Sequence, residues 1–153
     1  TGTGTGPADG DVWAWFGGIG ASEIGTVSQD VTFEVGTAEL TFMFENILSD
    51  SDTDFIEVRV DGTTVWSYTG GGAFDGILGY SPVTVNLDAF ADGGTYTLEF
   101  YSEIFGLNGA GSNFFVDDVS IISNAAPVPL PGAFFLYGAA IAGLGMARRK
   151  KAA

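Results

Sequence analysis

The chain has 153 residues, a formal net charge of −14, and neither cysteine nor histidine. Those absences exclude a Ser-His-Asp triad, a thiol nucleophile, a disulfide framework and a zinc site of the usual kind. With 5 basic residues against 19 acidic ones, nucleic acid is excluded as a partner, because its phosphates need Lys and Arg to displace counterions.

The chain opens at Thr1 on alternating Thr and Gly, so residues 1–11 read as a flexible leader. No signal-peptide pattern is present, and an exported domain needs one, so a signal peptide is expected to have been removed. Residues 12–123 carry the fold, and their signal has period two. Residues 12–16 come first, followed by Val31, Phe33 and Val35. Next are Leu40, Phe42 and Phe44, then Ile56, Val58 and Val60, then residues 65–68. Val83, Val85 and Leu87 follow, then Tyr96, Leu98 and Phe100, and finally Phe115, Val119 and Ile121. Apart from 12–16 and 65–68, which are further strand candidates, these alternate with polar neighbours, as a half-buried strand does. No helical stripe of useful length precedes Pro131. Asp61-Gly62 lies between two of these runs and reads as a type I′ hairpin turn. The predicted fold class is all-β, an antiparallel sandwich or jelly roll, followed by one C-terminal transmembrane helix.

Several residues within this region carry possible chemistry. Trp13 and Trp15 share one strand face, and Trp66 with Tyr68 forms a second pair. Such indoles either pack in the core or form platforms on which sugar rings stack. Asp50, Asp52 and Asp54 have the spacing of a calcium loop. Phe55 stands where the sharp turn requires Gly, so the segment reads as a solvated acidic loop. In the last strand the phase of Phe115, Val119 and Ile121 also includes Asp117, which puts a carboxylate on the core face. Such a group must find hydrogen bonds or a cation. The glycine-rich loops lack a nearby Lys and the spacing of a phosphate cradle. No carboxylate pair is singled out for glycoside hydrolysis, so the chain is read as a non-enzyme.

The C-terminal part has a different character. All 19 acids lie between Asp9 and Asp118, and Arg59 is the only cation before residue 148, so residues 1–147 carry −18. Residues 124–131 are a Pro-containing linker. Residues 132–147 are uncharged and span about 24 Å as a helix, against roughly 30 Å of hydrocarbon. Local thinning and snorkelling absorb the mismatch. Arg148, Arg149, Lys150 and Lys151 then fix the orientation, since positive residues stay on the cytoplasmic side. Residues 148–153 are the cytoplasmic tail, and the acidic bulk lies outside.

Two resemblances follow from these residues. Val128, Pro129, Leu130 and Pro131, then the apolar stretch, then the basic end, resemble the PEP-CTERM sorting signals, closest to the VPLPA-CTERM subtype. Leu130 stands where the founding motif has Glu, and Gly132 where the subtype has Ala. The resemblance implies the membrane and an exosortase as partners, with the four residues 128–131 as the recognition motif. It implies an inner-membrane protein with its domain in the periplasm, then a surface or matrix protein after processing, associated with exopolysaccharide and biofilm. Separately, Phe115-Val-Asp-Asp-Val-Ser-Ile121 is similar to the final strand of galactose-binding-like jelly rolls, including many carbohydrate-binding modules. That similarity implies a structural Ca²⁺ held by Asp117 with Asp9 or Asp11; the alternative is that Asp117 caps backbone N–H groups without metal. The function read from the sequence is a surface or matrix structural protein, with a module that binds exopolysaccharide as the alternative.

Overall fold

The computed structural model describes residues 6–48, 53–70, 77–106 and 111–126. Eight strands follow in order: β1 (Ala14–Gly17), β2 (Glu23–Thr32), β3 (Gly36–Leu48), β4 (Phe55–Val60), β5 (Thr63–Thr69), β6 (Ile77–Asn86), β7 (Thr95–Ile104) and β8 (Asn113–Ala125). They form two four-stranded sheets. Sheet A has the order β1-β8-β3-β6, sheet B the order β2-β7-β4-β5, and every pairing is antiparallel. A short 3₁₀ turn (Asp88–Phe90) links β6 towards β7. The two-sheet antiparallel sandwich expected from the period-two pattern is therefore present. Among the described residues no helix is long and apolar enough to cross a membrane. The apolar stretch 132–147, the motif 128–131 and the basic run 148–151 lie outside the described residues.

The core is the space between the sheets. Ala38, Leu40, Phe42 and Phe44 of β3 face Ile56, Val58 and Val60 of β4 and Leu98, Phe100 and Ile104 of β7. The contact is largely aromatic. Phe42 meets Trp66 edge-on at 5.1 Å and Phe100 at 5.2 Å. Phe44 meets Trp66 at 5.2 Å and Tyr68 at 5.0 Å. Edge-to-face pairs of this kind add to the area buried. Trp66, a candidate sugar platform in the sequence, thus packs between the sheets. The Asp61-Gly62 turn is as expected, with φ of 45° and 76°, the positive values a type I′ hairpin needs.

Two elements depart from the sequence pattern. Val31, Phe33 and Val35 do not form one strand. β2 ends at Thr32, Phe33 is buried where the chain crosses between sheets, and Val35 is 58% exposed. The second departure is in β8. Its register against β3 shifts between Thr41 and Met43, and Asp118 there takes a φ of 49°. The extra residue is a β-bulge, and a bulge reverses which side chains face inward. Phe114 and Val116 point to the core before it and Ile121 after it. Asp117 therefore lies on the outer face of sheet A and not on the core face, and Val119 is 48% exposed.

Antiparallel pairing brings four connections to one end of the sandwich. They join β1 to β2, β3 to β4, β5 to β6 and β7 to β8. Asp54 ties the described parts of this end together. It is fully buried. Its Oδ1 accepts the Phe105 N–H at 2.9 Å, and its Oδ2 accepts the Ser112 N–H at 3.1 Å and the Ser112 hydroxyl at 2.9 Å. Its carbonyl accepts the Gly70 N–H at 2.9 Å. This corrects the solvated acidic loop expected at residues 50–54: Asp50 and Asp52 lie outside the described residues, and Asp54 is interior. A carboxylate can be buried when donors satisfy it. Asp54→Ala leaves two backbone N–H groups without their acceptor. It is expected to cost about 3 kcal/mol or more, with Asp54→Asn milder because one acceptor oxygen survives. Denaturant unfolding of both variants measures this.

Candidate functional site

The outer face of sheet A carries an exposed indole at the loop end. In β1, Phe16 points to the core and Ala14 packs against it, so alternation turns Trp15 outward. Its ring stacks on Phe115 at 5.8 Å with 29° between the planes. Its Nε1 donates to Asn113 Oδ1 at 3.0 Å. The ring also lies over Gly18, where φ is 82° and any Cβ would run into it. Trp15 remains 43% exposed, while Phe115 beneath it is buried. A large aromatic side chain held by a stack, a hydrogen bond and a close backbone approach is a pre-organised surface.

The connection under Trp15 is fixed from the Asp54 side. The Gly18 N–H donates to the Ser112 carbonyl at 3.2 Å. Gly17, with φ of 84°, comes so near that carbonyl that a Cβ would collide with it. Ser112 is the residue that Asp54 holds, and Asn113 follows it. Of the tryptophans singled out by the sequence, Trp15 is thus the one displayed, and Trp66 is in the core. Trp13 is half-buried, with its indole nitrogen shielded from solvent and without a hydrogen-bond partner among the described residues. Asn113 is not singled out by the sequence, Phe115 reads there as an apolar strand position, and Asp54 reads as part of an acidic loop. The one signal near Asn113 and Phe115 is the apolar run Phe114-Phe-Val116, too long for a strand with one dry face.

Beside this platform the leader is tied down. The Tyr80 hydroxyl donates to the Gly6 carbonyl at 3.0 Å. The Ala8 and Asp9 N–H groups donate to Asp117 Oδ2 at 2.6 and 3.1 Å, and the Asp118 N–H donates to Oδ1 at 2.8 Å. Burial, then the charges of Asp117 and Glu45, push the Tyr80 phenol up to about 12. For Asp117, burial works upward, but the N–H bonds from Asp9, Asp118 and Ala8 outweigh it and hold the carboxyl below its ordinary range. Asp9 accepts the Gly10 N–H, and Asp11 is exposed. Both Asp117 oxygens thus accept N–H donors, and among the described residues no three acids gather to hold a metal.

At the opposite end of the same face lies a groove of about 420 Å³, lined by Thr37, Glu39, Asn86, Asp88, Ile122 and Asn124. Asp88 accepts the Asn86 side-chain amide and the Ala38 N–H, both at 2.9 Å. Those two bonds, the amide first, hold its carboxyl below the ordinary range. The groove offers amides, hydroxyls and carboxylates to a partner rich in hydroxyl groups. The outer face of sheet B carries the single described cation. Arg59 pairs with Glu57 at 2.6 Å and lies 3.7 Å over the Tyr101 ring.

Eleven chains among solved structures match this one. One is TmCBM61, a carbohydrate-binding module, solved in complex with beta-1,4-galactotriose at 1.4 Å resolution. It is 16% identical with a TM-score of 0.51, over 76% of this chain and 74% of that one. The likeness is one of fold. No family model matches the chain, and no curated protein does.

The tie between leader and sheet has a pH signature. A carboxyl whose folded pKa is depressed contributes stability above its unfolded pKa, and loses it as pH falls through the folded value. Exchange protection of the Ala8 and Asp9 amides is therefore expected above the usual carboxylate range. It should disappear as Asp117 protonates, and Asp117→Asn should abolish this pH dependence. Amide exchange measured across that acid range checks it.

Proposed function

We propose that the sandwich is a carbohydrate-binding module without catalytic activity, and that Trp15 is the surface on which a sugar ring stacks. The observation that carries this reading is the held, exposed indole. An aromatic face covers the apolar side of a pyranose, and fixing it beforehand removes the cost of ordering it on binding. The likeness in fold to TmCBM61 supports the same reading. The polar groove further along the face supplies groups that suit sugar hydroxyls.

The C-terminal pattern supports a place for this activity. The Pro motif 128–131, the uncharged stretch and the basic end fit an exported chain, anchored in the inner membrane and then processed by an exosortase. Exopolysaccharide at the cell surface or in the matrix is then the glycan within reach.

Titration calorimetry of the full-length chain in neutral detergent against a panel of oligosaccharides tests the binding. Trp15→Ala is expected to weaken it by about 2 kcal/mol, roughly thirtyfold, with little change in melting temperature. Trp66→Ala is expected to lower the melting temperature, because it opens the core. Binding unaffected by the loss of the Trp15 indole contradicts the assignment of the site.

A further inference from the structure

Both surfaces on the outer face of sheet A carry carboxylates. Asp117 stands beside the Trp15 platform, Glu45 is buried under the same face and accepts the Gly79 N–H, and Glu39 and Asp88 line the groove. Among the described residues the single Lys or Arg is Arg59, which lies on the other sheet and pairs with Glu57. Among the described residues, nothing cationic on this face is therefore available to meet an acidic ligand.

The distances make this matter. Phe115 is paired with Trp15 on one side and Glu45 on the other. Glu45 is thus two strands from the indole, about 10 Å at ordinary strand spacing. Asp117 is two residues along β8 from Phe115. These separations are about one Debye length at physiological salt, so screening is only partial. An anion on the indole meets like charges at that range and, among the described residues, finds no ammonium or guanidinium with which to pair. A hydroxyl meets acceptors in Glu39 and donors in the Asn86 and Asn124 amides.

We infer that the glycan recognised on this face is a neutral hexose chain, and that uronic-acid and sulfated polymers are rejected electrostatically. The inference rests on the carbohydrate reading and adds its substrate class.

The test follows the Trp15 indole N–H resonance of the full-length chain in neutral detergent. This readout reports what binds at the indole itself. Neutral hexose oligomers and oligogalacturonates are titrated at about 20 and about 300 mM salt. The neutral oligomers are expected to shift the resonance with the same affinity at both salts. The oligogalacturonates should bind at least about tenfold more weakly at low salt, the gap narrowing as salt rises. Oligogalacturonate binding at low salt that equals or exceeds neutral binding overturns the inference and leaves the carbohydrate reading standing. If neither set shifts the resonance at either salt, the carbohydrate reading itself fails, and the inference with it.

Discussion

The loop end of the sandwich depends on one buried carboxylate. Asp54 holds Ser112 by its N–H and its hydroxyl and holds Phe105 by its N–H. Ser112 in turn accepts the Gly18 N–H, and its neighbour Asn113 fixes the Trp15 indole. A chain of short, satisfied polar contacts thus runs from the interior of the fold to the surface that displays the aromatic ring. A buried acid is costly unless its lone pairs are filled. Filling them ties the β3–β4 connection to the β7–β8 connection.

The same solution recurs across the molecule. With Arg59 the only cation among the described residues, ion pairing is not available to most of its acids. They accept backbone N–H groups instead. Asp61 takes the Thr97 N–H, Asp88 the Ala38 N–H, Asp92 the Gly94 N–H together with the Tyr96 hydroxyl, and Asp117 those of Ala8, Asp9 and Asp118. Charge-assisted bonds of this kind are stronger than neutral ones. They anchor turns and crossings locally, so a strongly acidic sequence folds without matched Lys and Arg. Others, such as Glu34 and Glu39, stay exposed and give the surface its sign.

Much of this architecture could be read from the sequence. The alternation in β3, β4 and β7 survives as the inner faces of two sheets, because those strands are flanked on both sides and bury a full row, and the edge strand β6 keeps its inward row in Val83 and Val85. β2 escaped notice because it is an edge strand whose inward row includes Gly25 and Gln29, so its pattern is weak. The face of Asp117 was misread because a bulge is one residue of backbone and leaves no mark on hydrophobic periodicity. Asp54 was misread because its partners, Phe105 and Ser112, are more than fifty residues away, and sequence spacing carries no sign of them. Trp15 and Trp66 look alike as residues near aromatic neighbours. Only the pairing of strands places one outside on Phe115 and the other inside against Phe42.

The central claim is that Trp15 is rigid before any ligand arrives, because Phe115, Asn113 and the Asp54-bound Ser112 hold it. The measurement that bears on it most directly is the NMR order parameter of the Trp15 indole N–H in the free protein. The account predicts a value near that of rigid backbone, about 0.85. A value below about 0.6 would describe a mobile surface side chain and would contradict the claim.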